Sequence, residues 1–180
     1  MKKYLLCVIV ILAVIFVSGC ITDSNNSDKN DTAPLTIAKN GVLIKYPGNW
    51  VVATSGSQDS IIAVADPKSK DSITGYSNVN VNIERRNTSS SLNAYFNQTY
   101  TKLFSNSDYT SIAQGEVIIG PYKALESLYI QNSNGTIKKH RALWIENKNE
   151  IYVILCTAPQ DDFPNQVKNF DFIISNFRIT

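Results

Sequence analysis

The run from Ile151 to Thr157 places the tightest constraint on the fold of this chain. It reads IYVILCT and is apolar almost throughout. Successive side chains of a strand point to opposite faces, so a run of this kind predicts a strand that is buried on both faces. We therefore expect this strand near the centre of a sheet that has helices on both sides.

The segment from Asn78 to Glu84 indicates how the strands of that sheet are arranged. It reads NVNVNIE, so three branched apolar residues alternate strictly with polar ones. Such alternation is typical of a strand with one buried face and one solvated face, which favours an antiparallel sheet over a parallel one. We expect the asparagine side chains of this strand to face solvent.

Turn signals divide most of the remaining chain into further strands. Asn40-Gly41 separates two β-prone runs, 35–39 and 42–46, and both residues tolerate the positive φ of a type I′ turn. This pattern predicts an opening hairpin. Other strands are predicted at residues 50–54, 61–65, 116–119, 123–131 and 137–146.

Two amphipathic helices complete the pattern of elements. Ser89, Ser90 and Ser91 can cap the first helix, and Asp161 or Asp162 can cap the second, with Pro164 in its first turn. The apolar stripe of the first is Leu92, Tyr95, Phe96, Tyr100, Leu103 and Phe104. The stripe of the second is Phe163, Val167, Phe170, Ile174 and Phe177. Both stripes predict core packing, and the fold class is α+β, an antiparallel sheet flanked by helices on both faces.

Two short motifs carry a family resemblance. Tyr46-Pro47-Gly48-Asn49-Trp50 follows the opening hairpin and resembles the YP..W element of PsbP-like domains. Phe172 to Phe177 resembles the closing helix of the same family. The resemblance extends over residues 35–180, which we expect to form one globular domain. It implies an α/β/α sandwich with an accessory or binding role outside the cytoplasm, as in small prokaryotic lipoproteins of this type, archaeal ones included.

The N-terminal residues have the layout of an export signal. Lys2 and Lys3 precede an uncharged apolar run, Tyr4 to Val17, which at about 14 residues is shorter than the roughly 20 that span a bilayer. The run ends in Val17-Ser18-Gly19-Cys20, which resembles the lipobox of prokaryotic lipoproteins. The resemblance implies a signal peptide over residues 1–20 and lipid attachment at Cys20. The alternative is an uncleaved N-terminal membrane helix.

Either alternative places the rest of the chain outside the cytoplasm, held at the cell membrane. Residues 21–34 are polar and rich in turn formers, which predicts a disordered tether. In an exported chain the Asn-x-Ser/Thr sequons are possible glycosylation sites. These sequons are Asn25, Asn30, Asn87, Asn97 and Asn134.

Charge and composition argue against several classes of function. Lys and Arg number 17 against 15 Asp and Glu, and without Lys2 and Lys3 the two totals are equal at 15. A nucleic-acid partner is therefore not expected, since it requires a basic surface. With His140 as the single histidine and Cys156 as the only cysteine beyond Cys20, we expect no disulfide framework, no metal site and no cofactor.

Catalysis by a thiol is the sharpest chemical hypothesis. A three-residue loop at residues 147–149 would place His140 opposite Cys156, and a two-residue turn at Asn134-Gly135 would place Tyr129 opposite His140. A shift of one residue in strand register would separate His140 from Cys156, so we assign no catalytic residue. Asp161 and Asp162 read as a helix cap rather than a calcium site.

The function expected from these residues and from the resemblance is a non-enzymatic one. It is an accessory or protein-interaction module with a protein partner in the cell envelope. Two alternatives remain: a small-ligand-binding lipoprotein, and a thiol-dependent hydrolase that uses Cys156 and His140.

The first prediction concerns the mature N-terminus. The intact mass of the membrane-extracted protein is expected to correspond to a chain that begins at Cys20 and carries lipid. Cys20→Ser is expected to retain residues 1–19 and lose the lipid, because the thiol is the attachment point. A wild-type mass that includes residues 1–19 without lipid would contradict the lipobox interpretation.

Overall fold

A computed structural model of the chain describes residues 33–133 and 135–180, which form ten strands, two α-helices and one short 3-10 helix. The strands are β1 Leu35–Lys39, β2 Val42–Tyr46, β3 Val51–Val52, β4 Ser60–Ala65, β5 Asn80–Asn87, β6 Tyr109–Ile119, β7 Tyr122–Ser133, β8 Thr136–Asn147, β9 Glu150–Pro159 and β10 Arg178–Ile179. The α-helices are α1 Leu92–Phe104 and α2 Phe163–Ser175, and the 3-10 helix is Pro67–Ser69.

The strands form two antiparallel sheets. The larger sheet has seven strands in the order β3-β4-β5-β9-β8-β7-β6, and the smaller has three in the order β1-β2-β10. β9, which contains the run Ile151–Thr157, is the fourth of the seven strands and is buried on both faces. The predicted α+β class with an antiparallel sheet between helices is confirmed.

The two faces of the seven-stranded sheet carry different layers. α2 and the small sheet cover one face, where Val42, Ile44, Phe170, Ile173 and Phe177 form a fully buried core with the strands. α1 covers part of the other face and packs against β8 and β6. We call these the α2 face and the α1 face.

Local sequence signals account for several element boundaries. Asn40 and Gly41 have φ values of 48° and 78°, so the opening hairpin turns as predicted. Ser91 is the N-cap of α1, and its hydroxyl accepts a hydrogen bond from the Ala94 amide at 3.4 Å. Asp162 stands at the N-cap of α2, where its carboxylate accepts from the side chains of Asn165 and Gln166.

Both predicted helix stripes form core contacts, with one exception in α2. Phe96 and Tyr100 of α1 are buried, as are Phe163 and Phe170 of α2. Val167 is 38% exposed because Ile173, not Val167, completes the buried side of α2. The apolar spacing therefore predicts the position of α2 correctly but assigns Val167 to the core in place of Ile173.

The prediction that one face of β5 is solvated is wrong. Val81 and Ile83 point to the α2 face, as expected, but Asn82 and Glu84 on the opposite face are only 8% and 5% exposed. The alternation does mark an antiparallel strand with two chemically different faces. Asn82 and Glu84 are buried against Ser60 and Arg86, whereas Asn80 at the start of the strand stays half-buried.

Burial of Glu84 is made possible by a charged partner on the same strand. The Arg86 guanidinium donates to the Glu84 carboxylate, with 3.1 Å between Nε and Oε2, and the Asn82 amide donates to Oε1 at 3.0 Å. Arg86 also lies over the indole of Trp144, 5.0 Å from the ring centroid. Glu84 is thus a buried charge with an ionic partner and a neutral donor, as burial of a carboxylate requires.

Removal of Arg86 is expected to destabilise the fold. Arg86→Met should lower the free energy of unfolding by about 3 kcal/mol, because it leaves the Glu84 carboxylate buried without its cation. Denaturant titration followed by circular dichroism measures this. Arg85→Met is the matched control, since the ion pair of Arg85 with Glu150 is 36% exposed at both side chains and is worth about 1 kcal/mol or less. Equal losses in the two variants would contradict the role given to Arg86.

Candidate binding groove

The α1 face of the seven-stranded sheet carries a continuous row of directly opposed residues. Across β4, β5, β9, β8 and β7 the row runs through Ala65, Asn80, Thr157, His140 and Tyr129. α1 covers the end of the face near Tyr129, where Tyr100 contacts Tyr129 edge to face. The end near Ala65 and Asn80 lies away from α1 and opens into a groove.

This groove has a volume of about 660 Å³ and is walled by two loops. Its floor is the α1 face of β4 and β5, with Ala63 and Ala65 on one strand and Asn80 and Asn82 on the other. One wall is formed by residues 53–56 after β3, and the other by residues 74–78 before β5. We call this concavity the binding groove.

The binding groove is open along its walls and closed at its floor. Val51 and Tyr76 at its rim are 46% and 59% exposed, whereas Ala65 is buried. The floor is built of small side chains, which leave room above the sheet. Since Ala63 and Ala65 are buried, an occupant would contact mainly Asn80 and the polar loop residues.

The three asparagines that line the groove differ in whether their side chains are already hydrogen-bonded within the chain. Asn82 is committed, since its Oδ1 accepts from the Ser60 hydroxyl at 2.6 Å and its amide donates to Glu84. Asn80 donates to the Ser77 carbonyl at 2.9 Å, which leaves its Oδ1 available. Asn78 makes no side-chain hydrogen bond to any part of the chain that the structure describes. The groove therefore offers amide groups to an occupant.

A buried polar chain continues from the groove beneath α1. His140 is 7% exposed, and its Nδ1 lies 3.0 Å from Thr157 Oγ1 and its Nε2 3.3 Å from Gln131 Oε1. Gln131 donates its amide to the Tyr109 hydroxyl, so its Oε1 accepts from His140 Nε2–H, and Nδ1 then accepts from Thr157. Desolvation, together with the nearby Lys138, lowers the pKa of His140 to about 4.

His140 and Cys156, the proposed thiol-catalysis pair, are not opposite each other in the structure. The loop between β8 and β9 has two residues, with Asn147 opposite Glu150, so His140 lies opposite Thr157 and Cys156 lies opposite Arg141. Lys148 adopts φ 58°, which permits the shorter turn. His140 and Cys156 consequently lie on opposite faces of the sheet, and the prediction that they face each other is wrong. The predicted opposition of Tyr129 and His140 is confirmed, with their rings stacked at 4.8 Å.

Cys156 has the environment of a core residue. It is fully buried on the α2 face, and desolvation raises the pKa of its thiol to about 12. A reactive cysteine needs the opposite, a lowered pKa and access to substrate. Tyr46 and Trp50 are also buried, and Trp50 packs edge to face on Phe170 at 6.3 Å. Both belong to the core of the α2 face.

The remaining predicted sites fall in different parts of the chain. Asn87 at the end of β5 and Asn97 on α1 are exposed. Cys20, Asn25, Asn30 and Asn134 lie outside the described residues, as does the proposed signal peptide. Within residues 33–133 and 135–180 no three His, Cys, Asp or Glu side chains cluster as metal ligands, Asp161 and Asp162 included. No helix among these residues has the length and apolar character needed to cross a membrane.

Sequence reasoning did not locate the binding groove. Its floor asparagines were predicted to face solvent, and its loops contain no recognisable motif. The usable signal was the NVNVN pattern itself, because asparagines at alternate positions line one side of a strand and supply amide donors and acceptors.

Comparison with solved structures identifies the fold. CyanoP, the cyanobacterial PsbP of Synechocystis sp. PCC 6803, superposes with a TM-score of 0.58 at 12% identity, covering 87% of this chain and 98% of CyanoP. LpqN of Mycobacterium tuberculosis, a protein involved in cell envelope biogenesis, gives a TM-score of 0.57 at 11% identity, with coverage of 82% and 91%.

A protein from Bacteroides thetaiotaomicron VPI-5482 gives a TM-score of 0.53 at 16% identity and covers 78% of this chain. This chain spans 45% of the length of that protein. No family model and no curated protein matches the sequence.

The chain therefore has a PsbP-like fold. The resemblance noted at Tyr46–Trp50 and at the closing helix is confirmed at the level of fold. At these identities it carries no information about which partner is bound.

The burial of His140 predicts a specific dependence of stability on pH. The folded pKa is about 4 and the unfolded one about 6.5, so between these values the unfolded chain binds a proton that the native chain does not. The free energy of unfolding should therefore fall by about 3 kcal/mol between pH 7 and pH 4 from this residue alone.

His140→Gln removes the titrating group and is expected to flatten this part of the profile. Urea titrations of both proteins at several pH values measure the difference. A parallel pH dependence in the two proteins would show that His140 is not held neutral.

Proposed function

We propose that this chain is a non-catalytic accessory module, anchored by lipid at the outer surface of the cell membrane, that binds a protein partner in the binding groove. The anchor rests on the residues from Val17 to Cys20 and on the polar segment that follows. The binding role rests on one observation: part of the α1 face is left as an open groove with exposed rim residues and available amides.

The shape of the groove favours a protein segment over a small molecule. Small-ligand sites enclose most of their ligand and are lined largely by apolar and aromatic groups. This groove is instead open to solvent along its length, and Val51 and Tyr76 are exposed at its rim. An extended segment can lie along such a groove and bury these side chains, and its main chain can bond to the amides of Asn78 and Asn80.

A small polar ligand is the second candidate. Asn78 and Asn80 come from one edge of the groove and offer both donors and acceptors, which is the arrangement that orients a polar ligand. A ligand of this kind would raise the melting temperature of the purified domain without any second protein present.

The main proposal is tested with a pair of glycine variants. Gly56 lines the groove, and a Cβ added there meets nothing within 4 Å, so Gly56→Trp is expected to fill the groove without straining the fold. Gly115→Trp is the matched control, because a Cβ at Gly115 on β6 also meets nothing within 4 Å and lies outside the groove. The measurement is quantitative mass spectrometry of proteins that copurify with the tagged full chain after formaldehyde fixation of native membranes.

The expected result is one set of proteins that is lost with Gly56→Trp and retained with Gly115→Trp. The reverse pattern would place the interface at the edge strand β6 and overturn the role of the groove. Retention of the same proteins by both variants would overturn it as well. Equal thermal stability of the two variants establishes that the loss does not come from unfolding.

A further inference from the structure

The binding groove contains two cations and no carboxylate among its lining residues. Lys70 precedes the wall loop and Lys138 comes from β8, and both line the groove. Lys70 forms a β-bridge with Ser77, and Lys138 lies opposite Pro159 at the same end of the sheet. The two ammonium groups therefore belong to the end of the groove nearest residues 70–78.

Neither lysine is neutralised by an ion pair. Within residues 33–133 and 135–180, every ion pair below 4 Å uses an arginine, and no carboxylate lies within that distance of Lys70 or Lys138. Lys70 is exposed and Lys138 is half-buried, so both ammonium groups are accessible to an occupant of the groove. An anion placed near both would interact with two positive charges that have no ion-pair partner in the described residues.

The aspartates nearest to the groove are already engaged by the chain itself. Asp66 accepts the Lys68 amide at 2.9 Å, and Asp71 accepts the amides of Ile73 and Thr74 at 2.9 Å and 2.7 Å. The hydrogen bonds from Thr74 lower the pKa of Asp71, and Lys138 is close enough to contribute to the same shift. Asp71 thus offsets part of the charge of Lys138, although its hydrogen bonds within the turn all go to Oδ1.

We infer that the partner segment bound in the groove is acidic, with an Asp or Glu side chain placed between Lys70 and Lys138. This inference rests on the protein-binding function proposed above and names the chemistry of the partner. The acidic side chain occupies the cationic end, and the main chain meets Asn78 and Asn80. Complementary charge selects the partner and fixes the register of the segment in the groove.

The test uses a photo-crosslinking amino acid at Tyr76, at the groove rim, in the full-length chain in its native membranes. Adduct yield is compared between the otherwise wild-type chain and Lys70→Gln/Lys138→Gln. Lys68→Gln is the control, since Lys68 is exposed on the same segment and does not line the groove. Circular dichroism of each purified variant verifies that the fold is intact.

The yield is expected to fall about 25-fold in the double variant, which is about fivefold for each lysine at the upper range for partly exposed ion pairs, and to be unchanged by Lys68→Gln. It should also fall in 1 M salt, where the screening length shortens to about 3 Å. Tandem mass spectrometry of the adduct should find an Asp or Glu within a few residues of the crosslink.

Three outcomes overturn the inference. An adduct that persists in the double variant, or whose captured peptide lacks acidic residues, shows that the groove binds protein without charge selection and leaves the proposed function intact. An adduct to phospholipid shows that the two lysines face the membrane instead. Absence of any protein adduct at Tyr76 in the wild-type background overturns both this inference and the proposed function.

Discussion

The size of the seven-stranded sheet relative to its helices governs the rest of the structure. Seven strands about 4.8 Å apart make a sheet roughly 29 Å wide, whereas a 13-residue helix is about 20 Å long and 10 Å across. On the α2 face, a helix and the small sheet together cover the strands. On the other face the covering helix is α1, which packs mainly against β6 and β8. The binding groove is the part of the face that remains.

The transition between the covered and open parts of that face is made by buried polar residues. Beneath α1 the face is aromatic, and Trp144 donates its indole N–H to the Tyr100 hydroxyl at 3.0 Å. Toward the groove the side chains become Glu84, Asn82 and Asn80. No buried side-chain nitrogen or oxygen in the described part of the chain lacks a hydrogen-bond partner. Satisfied polar groups of this kind hold the groove floor in one arrangement.

Much of the fold could be predicted from the sequence because its signals are local. The Asn40-Gly41 hairpin, the Ser91 cap and the central position of β9 each depend on residues close together in the chain. The predictions that were wrong concern features that depend on residues distant in the chain. Asn82 is polar and lies on an alternating strand, and its burial depends on partners such as Ser60, 22 residues away in the chain.

The candidate site was harder to predict than the fold. Its chemistry depends on register, and the β8–β9 loop can close with two or three residues. The two-residue turn, permitted by the positive φ of Lys148, moves Cys156 to the other side of the sheet from His140. The groove itself is formed by two loops that are far apart in sequence, and the sequence of neither loop indicates the other.

The arrangement of β1 has a mechanical consequence. This strand is five residues long, pairs only with β2, and has a single half-buried side chain, Ile37. Any pull on the chain before residue 33 reaches the domain through this edge strand. Its few hydrogen bonds can open while β2 stays held by β10 and α2. Under load, β1 would yield first and lengthen the connection, and the sheet that bears the groove would keep its shape.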